Sequence, residues 1–188
     1  MSPATHFFIG WLTANAAQVE RRERALITVA GIIPDADGLV IVGDFLAGRS
    51  TEQLELWGRY HHVLGHNIGF AALVMTAAFL LARRRRALTA FLAGISFHLH
   101  LLGDLLGSRG PDGDQWPIPY LLPFSDSWQW IWQGQWVLNS WQNLLVTIMV
   151  MGTSFYLAWK SGYSPLEMVS AKVDRGFIAA LRKRFGRP

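Results

Sequence analysis

The sequence predicts an all-α fold: an integral membrane helical bundle of about four membrane segments, with broken helices and a capping loop rich in Trp and Pro. Composition is the first indication, because 51% of the 188 residues are hydrophobic and only 16% are charged, whereas soluble domains average roughly 25% charged residues. The distribution of charge is the second, because Lys and Arg cluster in a few blocks that flank apolar runs. That pattern is typical of membrane proteins with basic cytoplasmic loops.

Composition also limits the function. The chain has no cysteine, which excludes disulfides and thiolate metal sites, so a bound metal must use His, Asp, Glu or backbone oxygen. A nucleic-acid surface would interleave basic residues with polar or aromatic reading residues. These blocks do not, so we expect no nucleic-acid partner. The length fits one domain, which we divide into a membrane-embedded metal-site domain (1–160) and a basic amphipathic tail (161–188).

The first 47 residues predict two helical segments, the second of them broken. Residues 1–18 lack the basic start of a signal peptide, so we expect a short helix of the mature protein. Residues 25–47 are long enough to cross a bilayer, yet they contain Pro34, Asp35 and Asp37. Carboxylates inside a membrane segment cost roughly 2.5 to 3.5 kcal/mol each. The stretch is therefore either an ordinary turn or a broken helix that points two aspartates into a polar cavity.

Three of the six histidines lie within six residues. On a helix His62 and His66 share a face, whereas His61 and His66 are about 140° apart, so helical spacing favours the pair His62 and His66. The apolar run 68–82 would extend this helix to the length of a span. The four arginines at 83–86 are then typical of a cytoplasmic turn, with a nucleic-acid patch as the alternative interpretation.

The next segment, residues 87–107, places His100 and Asp104 in apolar surroundings. Their spacing of four puts them on one helix face, and imidazole and carboxylate are common ligands for zinc and similar cations. A buried histidine that is satisfied by a nearby aspartate is the alternative. His98 lies two residues from His100 and points to another face, so we expect it to be a packing or supporting residue rather than a ligand.

The last third of the chain predicts, in order, a loop that caps the helical bundle, a membrane span and a helix on the membrane surface. Residues 108–135 are rich in Gly, Pro and aromatic side chains, which suits a cap at the level of the lipid headgroups. Residues 136–159 form another apolar span. The tail 161–188 combines basic and apolar residues and predicts an amphipathic helix on an anionic membrane face.

Topology brings the candidate ligands together. With four membrane segments, the basic blocks at 20–24, at 83–86 and after Lys160 all lie in the cytoplasm. The candidate histidines and Asp104 then lie toward the other, periplasmic ends of their segments, and Asp35 and Asp37 lie midway, so that all of them approach one another at similar depth. The sequence thus predicts a multi-pass protein with one polar site near the external face.

These motifs together resemble a known family, the bacterial inner-membrane family of membrane-bound metal-dependent hydrolases. The resemblance covers roughly His6 to Pro123 and rests on an N-terminal Thr-His, Pro-Asp-x-Asp, a histidine-rich segment, His-x-x-x-Asp and Trp-Pro, found at Thr5-His6, Pro34–Asp37, His61–Asn67, His100–Asp104 and Trp116-Pro117. His62 stands where the family has Arg, and Gly65-His66-Asn67 replaces Thr-His-Ser. In motif style the chain is also similar, more distantly, to zinc-dependent phospholipase C and single-strand nucleases.

The resemblance implies a ligand set and a reaction. It selects His61 rather than His62 as the partner of His66, and the implied metal ligands are His6, Asp35, Asp37, His61, His66, His100 and Asp104. Seven N and O ligands would suit one or two divalent ions, Zn²⁺ or Mn²⁺. Asp37 would accept a proton, His62 would support catalysis, and Arg109 and Trp116 would contact the substrate.

The expected function is hydrolysis of a phosphoester or ester in a membrane lipid or lipid-linked substrate of the bacterial inner membrane. Two alternatives belong to other classes. A metal held by the same ligands could staple the helices of a structural or regulatory membrane protein. Buried Asp and His could instead form the cation or proton path of a transporter.

Overall fold

The structure is a computed structural model, and it describes residues 1–50, 56, 60–110 and 113–188. Within these ranges the chain forms seven α-helices, two 3₁₀ helices and no β-strand, which confirms the all-α prediction. The α-helices are α1 (Pro3–Ala14), α2 (Arg21–Ala30), α3 (Ile41–Leu46), α4 (Ile68–Leu81), α5 (Arg86–Gly107), α6 (Trp141–Ser161) and α7 (Ala171–Phe185). The 3₁₀ helices are Ile33–Val40 and Pro165–Met168. The sequence also predicts a short amphipathic helix over 51–57, but apart from Leu56 this stretch lies outside the described residues.

Helix α5 is the centre of the bundle. It packs against α1, α2 and α4, and its side chains Phe97 and Leu101 are completely buried with Ala71 of α4 and Ile118 of the capping loop. Helices α1 and α2 approach each other closely at Gly10, where an added Cβ would lie 2.8 Å from the Thr28 carbonyl oxygen. Such close contacts between small residues are typical of helices packed in a membrane.

Among the helices of the described residues, two, α5 and α6, are long and apolar enough to cross a membrane. A third span is possible in which α2 and the segment Ile33–Leu46 count together, although they are bent by 50°. Helix α4 has 14 residues, fewer than the about 20 that a span requires. The expectation of about four membrane segments is therefore not confirmed; two or three are compatible with the helices.

The break predicted in residues 25–47 is confirmed. Helix α2 ends at Ala30, and two residues later the eight residues Ile33–Val40, with Pro34 in the first turn, form a 3₁₀ helix that continues into α3. A proline suits this position because the N–H that it lacks would be unpaired at a helix start. The 3₁₀ turn carries both Asp35 and Asp37, and Asp37 is buried.

The prediction of a helix through the histidine segment is wrong. Residues 61–67 form turns, and α4 begins only at Ile68, after Asn67 accepts a hydrogen bond from the Phe70 amide at 2.9 Å. Asparagine at this position satisfies an amide that no helical carbonyl can reach. His62 has a φ of 64°, which no α-helix contains.

The basic blocks meet at one end of the bundle. Glu23 of α2 is buried and accepts hydrogen bonds from the amides of Arg83 and Arg84 at 2.9 and 3.0 Å. Arg24 pairs with Glu167, which follows α6, through two contacts of 2.6 and 2.9 Å. His100 lies 14 residues along α5 from Arg86, about 21 Å at 1.5 Å per residue, so the candidate ligands lie well away from this basic end.

Candidate metal centre

His100 and Asp104 lie one turn apart on α5, and both side chains are buried. The Nε2 atom of His100 is 3.0 Å from Oδ2 of Asp104. On its other edge, Nδ1 of His100 is 2.9 Å from the backbone oxygen of Gly31. A carbonyl oxygen only accepts hydrogen bonds, so Nδ1 donates, and neutral His100 keeps a lone pair on Nε2.

His66 repeats this arrangement from the turn that precedes α4. Its Nδ1 atom is 3.0 Å from Oδ2 of Asp37, so a neutral His66 donates there and turns the lone pair of Nε2 inward. That Nε2 atom is 3.1 Å from Nε2 of His100 and 3.4 Å from Oδ2 of Asp104. Two imidazole lone pairs and a carboxylate oxygen thus face one another, an arrangement that a proton or a cation must stabilise.

Asp35 of the 3₁₀ helix completes the group, with Oδ1 3.5 Å from Nε2 of His100. One ligand atom from each of Asp35, His66, His100 and Asp104 lies within 4.8 Å of the others. The Oδ2 atoms of Asp35 and Asp104 are buried with no hydrogen-bond partner among the described residues. Two imidazole nitrogens and two carboxylates are a donor set that suits Zn²⁺ and related divalent ions. We call these four residues the ligand cluster.

Asp37 supports the ligand cluster from behind. Its Oδ1 atom is 2.7 Å from Nδ1 of His61, and its Oδ2 atom accepts from the Gly65 amide at 3.0 Å as well as from His66. A carboxylate that binds the outer nitrogen of a ligating histidine fixes its tautomer and orientation. Asp37 therefore orients His66 in this arrangement, and His61 contacts both Asp37 and the edge of the His66 ring, whose centroid lies 6.2 Å from its own.

His6 of α1 approaches from the other side. Its Nε2 atom is 3.0 Å from Oδ1 of Asp104, and its ring lies over the ring of His100 with centroids 3.8 Å apart. The amino group of Met1 contacts the same Oδ1 atom. His6 thus engages the oxygen of Asp104 that faces away from His66, which leaves Oδ2 directed toward the cluster.

A cavity of about 420 Å³ opens beside the cluster, lined by His61, His62, Val63, Asp114, Gln115, Trp116 and Pro117. The ring of His62 stacks on the ring of His66 at a centroid distance of 4.4 Å and meets Trp116 at 4.5 Å. The Nδ1 atom of His62 is buried without a partner among the described residues. His62 therefore links this cavity to the ligand cluster, and its left-handed backbone holds it there at an energetic cost.

The two neighbouring histidines have opposite protonation preferences. Burial lowers the pKa of His62 to about 2, with a further contribution from the charge of His66. Burial acts in the same direction on His66, but the close polar contacts with Asp104 and Asp37 and the negative charge of both carboxylates outweigh it and raise its pKa to about 9. Without a metal, a proton on His66 therefore offsets the two carboxylates, while His62 stays neutral.

A family model described as YdjM inner membrane protein matches residues 1–180. The chain belongs to the YdjM inner membrane protein family. No curated protein and no solved structure matches the sequence. This membership, together with the apolar helices α5 and α6, makes the protein a bacterial inner membrane protein, as the sequence predicts.

The sequence singles out three further residues of this YdjM family member, and of these described residues only one lines the cavity. Trp116 lines the cavity. Arg109 pairs through its backbone with Trp136 and Leu138, and it is not among the described residues that line the cavity. His98 lies on the opposite face of α5 from the cluster, with Nδ1 2.7 Å from the Gly94 carbonyl and Nε2 2.9 Å from the Tyr120 hydroxyl.

Several supporting residues carry no recognisable sequence signal. Gly31 contributes only a carbonyl, and Gly65 is needed because an added Cβ would clash with the Pro34 carbonyl. Gln135 donates to the Asp104 carbonyl at 2.7 Å and so fastens the end of the capping loop beside the cluster. A glycine next to a histidine is the one hint that the sequence offers, because Gly65 precedes His66.

The capping loop itself is ordered by backbone pairing. Ile118 and Trp130 exchange hydrogen bonds of 3.0 and 2.9 Å, and Tyr120 stacks on Trp130 with centroids 4.2 Å apart. The carbonyl of Tyr120 accepts from the amide of Ile68 at 2.7 Å, which satisfies an N–H at the start of α4 that lacks a helical partner. The loop therefore covers the start of α4, close to His66.

Proposed function

We propose that this protein is a membrane-bound metal-dependent hydrolase that cleaves a phosphoester or ester of a lipid or lipid-linked substrate. One observation carries the proposal: four convergent donors, Asp35, His66, His100 and Asp104, lie beside a cavity that is open to a ligand. The cluster would hold Zn²⁺ or Mn²⁺, and its four donors correspond to one ion rather than two. The chemistry that such an ion supplies is polarisation of the scissile group and activation of water.

The surrounding residues have distinct roles in this proposal. Asp37 holds His66 in the tautomer that binds metal, and it remains a candidate to accept a proton once a substrate alters its contacts. His62 is neutral, and its unpaired Nδ1 atom offers a hydrogen bond to a substrate in the cavity. Trp116 supplies an apolar face against which an acyl chain or headgroup would pack.

The location of the site supports a lipid-related substrate. The exposed apolar residues of α4 and α6 would face lipid, and the basic blocks lie at the other end of the bundle, which the positive-inside rule assigns to the cytoplasm. In the proposed orientation the ligand cluster opens toward the periplasmic face, where a lipid headgroup would reach it.

A comparison of two histidines on α5 tests the enzyme proposal. We expect His100→Ala and Asp104→Ala to abolish hydrolysis of phosphoester and ester lipids by protein purified with Zn²⁺ or Mn²⁺. His98→Ala is the matched control and should retain most activity, because His98 contacts Gly94 and Tyr120 instead of the cluster. Equal activity in all four proteins would rule out the cluster as the catalytic site.

A structural metal is the second candidate, and the number of donors favours it. Closed structural zinc sites have four protein ligands, whereas catalytic sites usually keep one position for water. The four donors also come from three separate segments, the 3₁₀ helix, the turn before α4, and α5. A structural role predicts that metal removal lowers the melting temperature while no substrate of any class is hydrolysed.

A further inference from the structure

Residues 161–188 carry a concentrated positive charge. They contain six Lys and Arg residues and two carboxylates, so their net charge of +4 equals that of the whole chain. The structure folds this segment into the 3₁₀ helix Pro165–Met168 and helix α7. The position of these charges on the fold decides what they can bind.

Both carboxylates of the segment are engaged inside the fold. Glu167 is buried and binds Arg24 in the two contacts described above. Asp174 is buried and accepts hydrogen bonds from the amide and hydroxyl of Ser164 at 2.8 and 2.6 Å. The charge that α7 presents to its surroundings is therefore cationic.

The cations line a cleft between α7 and the end of α6. It has a volume of about 550 Å³ and is lined by Gly162, Arg175, Ile178, Ala179, Arg182, Lys183 and Arg187. Arg182 holds α7 against the end of α6, because its guanidinium donates to the carbonyl oxygens of Trp159 and Lys160 at 3.0 to 3.2 Å. Gly162, with a φ of 83°, ends α6 and leaves room for this guanidinium, which would lie 3.0 Å from an added Cβ.

The cleft lies at the level where α6 leaves the membrane. Helix α6 is a candidate span that reaches Ser161, and α7 lies against its last turns, with Phe177 5.8 Å from Phe155 between ring centroids. Beside the cations, Tyr156 and Phe185 expose 54% and 68% of their surface. Cationic side chains next to exposed aromatic rings are typical of helices that lie in the headgroup region.

We propose that this cleft binds the headgroup of an anionic phospholipid in the membrane that α6 crosses. The phosphodiester would lie among Arg175, Lys183 and Arg187, with Arg182 as the fixed cation at the base of the cleft. The binding is independent of the ligand cluster and of any hydrolysis there, because the cleft belongs to the basic end of the bundle, whereas His100 lies about 21 Å along α5 from Arg86 at that end. Charge complementarity and depth favour a lipid over a soluble anion.

Two double variants on the same helix test the site. Arg175→Gln/Lys183→Gln removes two cations of the cleft, whereas Lys172→Gln/Arg184→Gln removes two exposed cations of α7 that do not line it. Full-length protein in detergent is titrated with phosphatidylglycerol or phosphatidylcholine, and bound lipid is counted by native mass spectrometry. A basic residue near a membrane surface contributes roughly fivefold in affinity, so the cleft variant should lose on the order of 25-fold for phosphatidylglycerol.

We expect the wild type to bind phosphatidylglycerol more tightly than phosphatidylcholine. The cleft variant should lose affinity for phosphatidylglycerol, whereas the affinity of the control variant should change by about twofold or less. Equal affinity of the wild type for both lipids would overturn the proposal, and so would equal losses in the two variants. In a final experiment, binding of a single-stranded RNA oligonucleotide to the same proteins is measured. If its binding, rather than lipid binding, depends on Arg175 and Lys183, the cleft is a nucleic-acid site and the proposal is wrong.

Discussion

At the scale of single residues, the main result is a division among seven predicted metal ligands. Four of them converge, and the other three, His6, Asp37 and His61, contact the convergent residues or one another. Sequence motifs identify which residues belong to such a site. They carry no information on which of two hydrogen-bonded side chains, such as Asp37 and His66, faces the metal. The roles of His6, Asp37 and His61 as direct ligands therefore stay predictions.

Asp37→Asn separates an orienting role from direct ligation. Asparagine preserves the shape of the side chain but removes the charge that fixes His66. We expect Zn²⁺ affinity to fall by about 10- to 100-fold, as is usual for such supporting contacts, in a competition titration with a chromogenic chelator. Asp35→Asn is the comparison, since it removes a donor of the cluster. If Asp37→Asn abolishes binding as completely as Asp35→Asn does, Asp37 is itself a ligand.

The pH dependence of metal binding follows from His66. Its pKa of about 9 in the metal-free protein means that the ring is protonated below that pH, and a metal must displace this proton. Between pH 6 and pH 8 we expect the apparent Zn²⁺ affinity to rise by about tenfold per pH unit, with proton release measurable in weakly buffered solution. An affinity that is constant over this range would contradict the protonated state of His66.

At the scale of elements, the sequence predicts most helices correctly but not the segment that supplies His66. Hydrophobic runs and basic ends locate α5, α6 and α7 because burial in lipid or in the core sets those patterns. The helix expected through His61 and His66 is absent because Asn67 caps α4 and Gly65 passes directly over Pro34. Contacts between segments distant in sequence determine that turn, and periodicity within one segment does not report them.

Gly65→Ala tests this contact between the turn and the 3₁₀ helix. The added methyl group meets the Pro34 backbone, so the turn must move, and we expect a cost of about 1–3 kcal/mol in unfolding free energy together with weaker metal binding. Gly152→Ala on α6 is the control, because nothing lies within 4 Å of its added Cβ. Equal melting temperatures of the two variants would show that the turn does not pack as described.

At the scale of the whole molecule, the bundle has a basic end and a ligand end. The sequence predicts this separation from the positive-inside rule and from the positions of the histidines, and the contacts of Glu23 and Arg24 join the basic blocks as expected. The number of spans was harder to predict, because α4 is apolar throughout but ends after 14 residues. Hydropathy does not distinguish such a buried or partial segment from a complete span.

Reporter fusions test the proposed orientation. We expect a reporter inserted at residues 83–86 and one fused after residue 188 both to report a cytoplasmic location, because both positions belong to the basic end. A reporter that is active in the periplasm at either position would contradict the proposed orientation of the ligand cluster.

Metal content is the most direct test of the central claim that Asp35, His66, His100 and Asp104 form a metal site. The protein is purified without chelators, and bound metal is quantified by inductively coupled plasma mass spectrometry beside His98→Ala, His100→Ala and Asp104→Ala. We expect one Zn²⁺ or Mn²⁺ per chain in the wild type and in His98→Ala, and less than a tenth of that in the other two. Wild-type protein that stays free of divalent metal after incubation with both ions, or variants that bind as much metal as the wild type, would contradict the claim.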